Sequence, residues 1–380
     1  DMRDCSCCSC DMYGMPDWDT GLPSVREMHA RHVGELHAMG VTMLRIDASL
    51  YQEVDDLAAI LNRYPWDLVY QEWWGELPVP ERTKFVGHYR DPAYRQEISK
   101  PLGLWDADQT SMVLKVTHGV NGIDPEVAVY PILYHDGRTN EADSNVPTYK
   151  NGLEYHQGQK FFLAWPHGIS MMLWSGFHWD NTEQGPPGCE EGDSHCSPTS
   201  VFGTDGKHQC MGTPSESPLP AVSGGRGWVC EHRWEGLAGM VGFRKACRGL
   251  EVKKTWGTPG MDGVDEDAGG LGRLAFTAGE DCFVALVRGH NAKTSKQNGW
   301  TFGHLGDWAL EGAALTTGLP AGRYCDVASL SDASPGVWDR QSCPREVVLG
   351  EGGVVTSGNV KEGDLLAIYT GARLPTLSTA

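Results

Sequence analysis

Apolar and polar positions follow one another in blocks that predict a helix, then a strand, and then the same pair again. Apolar residues recur near a 3.6-residue period over 22–40, which predicts an amphipathic helix that ends at Gly40. The short apolar run 41–47 follows at once and ends in the carboxylate of Asp47. A buried parallel strand has this pattern when its carboxyl end opens onto a site.

The same order recurs further along the chain. A helix is predicted at 52–62 and a strand at 67–72, which ends in Glu72. The apolar run 128–136 is a third strand with a carboxylate at its end, Asp136.

A helix at 151–163 then leads into a predicted strand at 168–177. Strands that alternate with helices and end in acidic residues are typical of a (β/α)8 barrel, in which catalytic groups lie at the carboxyl ends of different strands. The alternative is a doubly wound open sheet. We favour the barrel because no glycine-rich phosphate fingerprint follows any of these strands.

Regular patterning breaks down in the second half of the chain. Residues 180–228 are rich in Gly, Pro, Ser, Asp and Cys, which predicts a long loop, and a helix is expected over 230–250. Short apolar runs with Gly, Pro and Asp between them then predict a small antiparallel β domain. We therefore expect a barrel-type domain over 1–252 and an all-β domain over 262–380.

Charge narrows the class of ligand. The chain of 380 residues has 50 acidic and 31 basic side chains and a formal charge of −19. This balance argues against nucleic acid or an anionic membrane as a partner, because both require a basic surface. A neutral ligand such as a sugar fits better. No run approaches the roughly 18 apolar residues of a membrane helix, so we expect a soluble chain.

The twelve cysteines are spread over the whole chain, which favours a secreted protein or another oxidising compartment. We expect cysteines to pin the 180–228 loop; the candidates are Cys189, Cys196 and Cys210. A zinc site is the alternative for the four cysteines at positions 5, 7, 8 and 10. They lack the two separated C-x2-C pairs that make such a site a strong prediction.

Two of the strand-end carboxylates have the chemistry of a glycoside hydrolase. Asp47 and Glu72 are about one βα unit apart, so adjacent strands would present both at one rim. Arg45 would point to the same side as Asp47 and keep it ionised. Trp73 and Trp74 give Glu72 apolar surroundings, which suit a proton donor. A lone acidic residue at a strand end is more often a surface charge or a helix cap, but three at three strand ends weaken that interpretation.

At this point the residues resemble those of a known family, the animal and actinobacterial α-amylases. RIDAS at 45–49 resembles the strand of the nucleophile, YQEWWGE at 70–76 the strand of the acid/base, and YHDGRTNE at 134–141 the segment of the third carboxylate. WVCEHRW at 228–234 and TTGLPAGRYCDV at 316–327 are similar to the final barrel helix and the C-terminal β domain. The matches keep the order of the family over nearly the whole chain.

The resemblance implies a role for each matching residue. Asp47 would be the nucleophile, Glu72 the general acid/base and Asp136 the transition-state stabiliser, with Arg45 and His135 in support. The two tryptophans at 73 and 74 would stack on glucose rings or, as an equal alternative, pack against the rim of the barrel. The resemblance also implies a Cys325–Cys343 disulfide and a disulfide from Cys230 to an upstream cysteine, for which Cys210 is our choice.

The sequence also departs from the family. Nothing here corresponds to the first three barrel strands, so the chain resembles strands 4 to 8 and we interpret it as an N-terminally truncated fragment that is inactive or poorly stable alone. Asp17 and the Arg3 carbonyl match calcium ligands, but Tyr51 replaces the ligating histidine, which leaves an incomplete Ca²⁺ site. Chloride binding is not expected, because Tyr134 and Met171 stand where the family has an Asn and a basic residue.

The activity implied by the resemblance is endo-hydrolysis of α-1,4-glucan with retention by a monomer. A transglycosylase with the same intermediate is a second interpretation. A non-catalytic glucan-binding relative is a third, and the changed calcium position supports it, whereas the three retained carboxylates argue against it.

Overall fold

The protein is described by a computed structural model. The described residues are 18–72, 87–90, 126–131, 148–168, 170–173, 175–179, 184–189, 195–211, 227–256, 264–265, 273–289, 305–330 and 343–375.

The chain divides into two compact units. The first is drawn from residues 1–93, 119–130 and 168–170, and the second from 94–118, 131–167 and 171–380. These two units do not coincide with the expected domains, 1–252 and 262–380. The expected domains stay a prediction.

Five strands pair in chain order to form one sheet, and the first three of them lie wholly in the first unit. The strands are β1 (Met43–Ile46), β2 (Leu68–Gln71), β3 (His88–Arg90), β4 (Ala128–Pro131) and β5 (Ser170–Met172). The pairs β1–β2, β2–β3 and β3–β4 are parallel. A barrel needs this sequential order, whereas a doubly wound sheet reverses its strand order. The described strands form an open sheet, and no closed barrel is seen among them.

Two helices pack on one face of this sheet, α1 (Pro23–Ala38) and α2 (Val54–Leu61). Proline suits the first turn of α1, where its missing N–H has no partner to lose, and Gly40 ends the helix region with φ +94°. Apolar side chains of both helices and of strands β1 and β2 form one buried cluster; its members include Ala30, Leu57, Ile60, Leu61 and Val69. Burial of this face leaves the other face of the strands for polar groups.

The second unit contains two further helices, α3 (Leu153–Ala164) and α4 (Leu237–Cys247). Every residue of α3 from Glu154 onward is buried, so this helix has no solvent face. The helix predicted over 230–250 is broken. A 3-10 turn covers Glu231–Arg233, and Gly236 at φ +82° separates it from α4.

The remaining strands of the second unit form three small sheets. The bounds of these strands are β6 (Val252–Trp256), β7 (Val264–Asp265), β8 (Arg273–Ala278), β9 (Cys282–Val287), β10 (Trp308–Ala309), β11 (Gly322–Cys325), β12 (Glu346–Leu349), β13 (Val355–Ser357), β14 (Asn359–Val360) and β15 (Leu365–Tyr369). The five-stranded sheet has the order β15–β9–β8–β6–β7, the three-stranded sheet has the order β11–β12–β13, and β10 pairs with β14. All but the β6–β7 pair are antiparallel. A buried apolar cluster joins the sheets, so the predicted antiparallel β structure is confirmed.

Four disulfides lie within the described residues. Cys210–Cys230 and Cys325–Cys343 confirm the two pairings expected from the resemblance. Cys189–Cys196 closes a short loop in the region predicted to be pinned. Cys247–Cys282, which ties α4 to β9, was not predicted from the sequence. The cysteines at 5, 7, 8 and 10 lie outside the described residues. None of the described helices has the length and apolarity to cross a bilayer.

Candidate active site

One face of the parallel sheet in the first unit carries a row of polar side chains. The register pairs Arg45 with Tyr70 and Tyr70 with His88. Side chains two residues apart on a strand share a face, so Glu72 and Arg90 continue the same row at the carboxyl ends of β2 and β3. Leu44 and Ile46 point the other way, into the helix layer. The alternation of side chains therefore places the polar groups on one face of these strands and the apolar groups that contact the helices on the other.

Arg45 joins the two carboxylates that the sequence singled out. Its Nη1 lies 2.5 Å from Asp47 Oδ1, and its Nη2 lies 2.7 Å from Glu72 Oε1. Partial burial acts to lower the pKa of Arg45, but the bond to Asp47 and the attraction of Glu72 outweigh it, so the pKa is raised. One permanently charged guanidinium thus holds both carboxylates at the same rim. The sequence predicted that Arg45 serves Asp47, and its second contact with Glu72 was not predicted.

The two carboxylates differ sharply in exposure. The side chain of Asp47 is 76% exposed, whereas that of Glu72 is 7% exposed. The backbone oxygen of Asp47 accepts a 3.2 Å hydrogen bond from Gln52 Nε2, which fixes the turn after β1. An exposed carboxylate on a fixed turn is open to a ligand, and a buried one is held in a defined orientation.

Glu72 is fixed through its backbone and its side chain. Its N–H donates to Ile46 O at 2.8 Å, and its own carbonyl accepts from Ser49 Oγ at 2.7 Å. Oε2 accepts from the N–H of Ala48 at 3.0 Å. Ala48 has the left-handed φ of +47°, which costs a non-glycine residue ~1–2 kcal/mol. Such strain clusters at functional sites, and here it aims a backbone donor at the carboxylate.

Arg90 is the site residue that sequence reasoning missed. It lies at the end of β3 with only 5% of its surface exposed, and its Nη1 donates to Glu72 Oε1 at 3.3 Å. The sequence suggested apolar surroundings for Glu72, but on its described side two guanidiniums and a backbone N–H contact the carboxylate. Among the described residues, the side-chain contacts of Glu72 are therefore with the donors Arg45, Arg90 and the N–H of Ala48.

Tyr70 lies on the same face beside these charges. Burial raises the pKa of its phenol, and the opposing attraction of Arg45 and Arg90 does not cancel that effect. The phenol is therefore neutral at physiological pH and adds no third negative charge to the row.

Several predicted site residues cannot be located here. Asp136, His135, Trp73, Asp17 and Arg3 lie outside the described residues. Their roles stay predictions.

The described residues do not make a calcium site. Tyr51, which stands in place of the expected histidine, closes the 3-10 turn Ser49–Tyr51, and within the described part of the chain no three His, Cys, Asp or Glu side chains cluster as metal ligands. No step is therefore assigned to calcium.

Acidic residues at the carboxyl ends of neighbouring parallel strands are the arrangement in which glycoside hydrolases of the β/α type hold their catalytic pair. No protein-family model matches the chain. The α-amylase of Tenebrio molitor is 27% identical over 389 residues, which cover 96% of this chain and 69% of that protein. The α-amylase of Streptomyces violaceus is 26% identical over 333 residues, with 84% and 46% covered.

The fold agrees with these relatives. The crystal structure of α-amylase I from Eisenia fetida superposes with a TM-score of 0.66 at 22% identity and covers 95% of this chain and 67% of that one. The chain is therefore similar in sequence to α-amylases and similar in fold to the Eisenia α-amylase. It spans about two thirds of the Tenebrio and Eisenia proteins and less than half of the Streptomyces one.

Proposed function

We propose that the protein is an α-amylase that hydrolyses internal α-1,4-glucosidic bonds of starch or glycogen and retains the anomeric configuration. The single observation that carries this proposal is the bridge of Arg45 between Asp47 and Glu72. A retaining glycosidase needs two carboxyl groups about 5–5.5 Å apart, and two carboxylates on one guanidinium suit that spacing. The α-amylase relatives supply the substrate class, since carboxylate geometry alone serves many glycosides.

The difference in exposure supports the two proposed roles. Asp47, which is exposed and paired with Arg45, attacks the anomeric carbon as the glycosidic C–O bond breaks. In the same step Glu72 gives its proton to the leaving oxygen. Glu72 then takes a proton from water as the water oxygen bonds to the anomeric carbon and the ester to Asp47 breaks.

The finer parts of the proposal concern the rest of the molecule. The five strands of this sheet correspond to strands 4 to 8 of a (β/α)8 barrel, which their sequential order supports. Asp136 stabilises the oxocarbenium-like transition state, and the tryptophan at 73 together with His135 contacts the sugar. We expect a secreted monomer that does not use chloride, and the four disulfides support an oxidising compartment.

The test is hydrolysis of starch by the full-length protein and by its Asp47→Asn and Glu72→Gln variants, with the product anomer followed by NMR. We expect α-configured oligosaccharides from the wild type and a loss of at least about 10²-fold in kcat in both variants. Asp67→Asn is the matched control, because Asp67 is an exposed acidic residue at the opposite end of the same strand. A β-configured product would refute retention.

Two outcomes would favour the other functions. Transfer of glucan to added sugar acceptors in preference to water would indicate a transglycosylase. Glucan binding without turnover would indicate a non-catalytic relative.

A further inference from the structure

The environment of Arg90 is unusual for a residue that merely neutralises charge. Its side chain is buried at the end of β3, and its Nη1 lies 3.3 Å from the same Glu72 oxygen that Arg45 contacts at 2.7 Å. Taking a guanidinium out of water costs several kcal/mol, and one cation already pairs with this carboxylate. The second arginine therefore calls for an explanation in terms of what the site does.

The charges of the site change during the proposed reaction, and this is where a second arginine matters. Arg45 is shared between Asp47 and Glu72. When Asp47 becomes a glycosyl ester it loses its negative charge, so Arg45 loses one of its two ion pairs and can shift. Arg90 contacts Glu72 from the neighbouring strand, and in the described residues no ion pair joins it to Asp47. Its hold on Glu72 is therefore independent of the state of the nucleophile.

We propose that Arg90 is a positioning residue for the acid/base: it anchors Glu72 Oε1 from β3 so that the carboxyl group keeps its orientation in both half-reactions. The inference rests on the proposed function. Oε1 is tied to the two arginines and Oε2 to the N–H of Ala48, so three separate donors define the plane of the group. Without Arg90, Oε1 keeps Arg45 as its cation among the described residues, and the other partner of Arg45, Asp47, loses its charge in the first step.

The experiment exploits the fact that a poor leaving group needs protonation, whereas fluoride departs with little help from an acid. Arg90→Met and Arg90→Lys are compared with wild type on a maltooligosaccharide and on α-maltosyl fluoride. For Arg90→Met we expect kcat/KM on the oligosaccharide to fall ~10- to 100-fold, part of the 10²–10⁴-fold that a general acid contributes. On the fluoride the first half-reaction should fall less than about threefold. Arg90→Lys keeps the charge and should recover part of the loss.

Two further variants make the result specific. If Arg90 acts only through Glu72, adding Arg90→Met to Glu72→Gln should change the remaining rate less than about twofold, since the two residues then share one effect. Arg26→Met is the control, because Arg26, like Arg90, pairs with a carboxylate in the same unit. Its partner is Asp56, and this pair joins the two helices away from Glu72. This variant should leave both rates unchanged.

Each outcome bears on a different statement. Equal losses on both substrates, or losses that multiply in the double variant, would overturn the role of Arg90 and leave the proposed function standing. Absence of turnover by the wild type on both substrates would overturn the proposed function and this inference with it. If Arg90→Met does not fold, Arg90→Lys alone decides, and it must then slow the oligosaccharide more than the fluoride.

Discussion

Replacement of Arg345 by methionine removes the cation that joins two carboxylates in the interior of the second unit. The Nε of Arg345 pairs with Asp326, its Nη1 lies 2.8 Å from Asp364 Oδ2, and its Nη2 donates to Leu365 O at 2.8 Å. The attraction of both carboxylates outweighs burial and raises the pKa of Arg345. Asp364 keeps a second cation, Lys160, at 2.8 Å.

The size of the stability loss depends on Asp326, because this carboxylate loses its paired cation. The side chain of Asp326 is fully buried, and among the ion pairs of the described residues only Arg345 neutralises it. Burial already raises the pKa of Asp326. Removing one partner of a buried ion pair costs ~3–5 kcal/mol, because the other charge stays behind. We therefore expect Arg345→Met to lower the free energy of unfolding by about this amount.

The assay is urea unfolding followed by tryptophan fluorescence and circular dichroism. Arg323→Met is the matched control, since Arg323 pairs with Glu346 at 2.6 Å but is 45% exposed, and its loss should cost no more than ~1 kcal/mol. Adding Asp326→Asn to Arg345→Met should recover at least ~1 kcal/mol. The amide oxygen still accepts from the N–H groups of Ala328 and Ala367, but the unpaired charge is gone. Equal costs for the two arginines, or no recovery in the double variant, would refute the reasoning.

Two further predictions concern the same unit. Helix α4 contains Gly239, where a Cβ would lie 2.1 Å from the Val327 carbonyl oxygen, and Gly242, where a Cβ would meet nothing within 4 Å. Gly239→Ala should therefore destabilise the protein in thermal unfolding, whereas Gly242→Ala should stabilise it by ~0.5–1 kcal/mol, and the same sign for both would contradict this. Burial, and then repulsion from Lys160, lower the pKa of His156 to about 3. The folded state then binds fewer protons than the unfolded state, so stability falls as pH drops from about 6.5 to about 3, by up to ~1.4 kcal/mol per unit. His156→Gln should flatten that slope in urea unfolding measured at several pH values; an unchanged slope would show that His156 is not responsible.

Helix and strand positions follow largely from local pattern. The predicted helices at 22–40, 52–62 and 151–163 are found as α1, α2 and α3 with ends within about two residues, a difference typical of helix boundaries. Periodicity locates α1 and α2 because each of them buries one face, whereas α3 is buried from Glu154 onward and has no side-chain hydrogen bond at its N-cap. The helix at 230–250 was predicted too long, because a break at Gly236 depends on the close approach of the Ala328 carbonyl.

Strand β3 shows where local pattern fails. Only three residues, His88 to Arg90, are in the strand, and two of them are polar because they face the site rather than the helices. Such a segment is too short for any period to emerge. The gap of almost 60 residues between β2 and β4 was the only sequence signal that another strand was present.

The sequence by itself determined that Asp47 and Glu72 follow strands, where the first three helices run and, through resemblance, the likeness to α-amylases and two of the disulfides. The tertiary structure alone decided which side chains meet. Arg90 reaches Glu72 across 18 residues, and Cys247 reaches Cys282 across 35, because neighbouring strands and a packed helix bring them together. Local sequence sets the period of an element and the face it buries, whereas strand register, which no single segment encodes, sets the partners across the sheet.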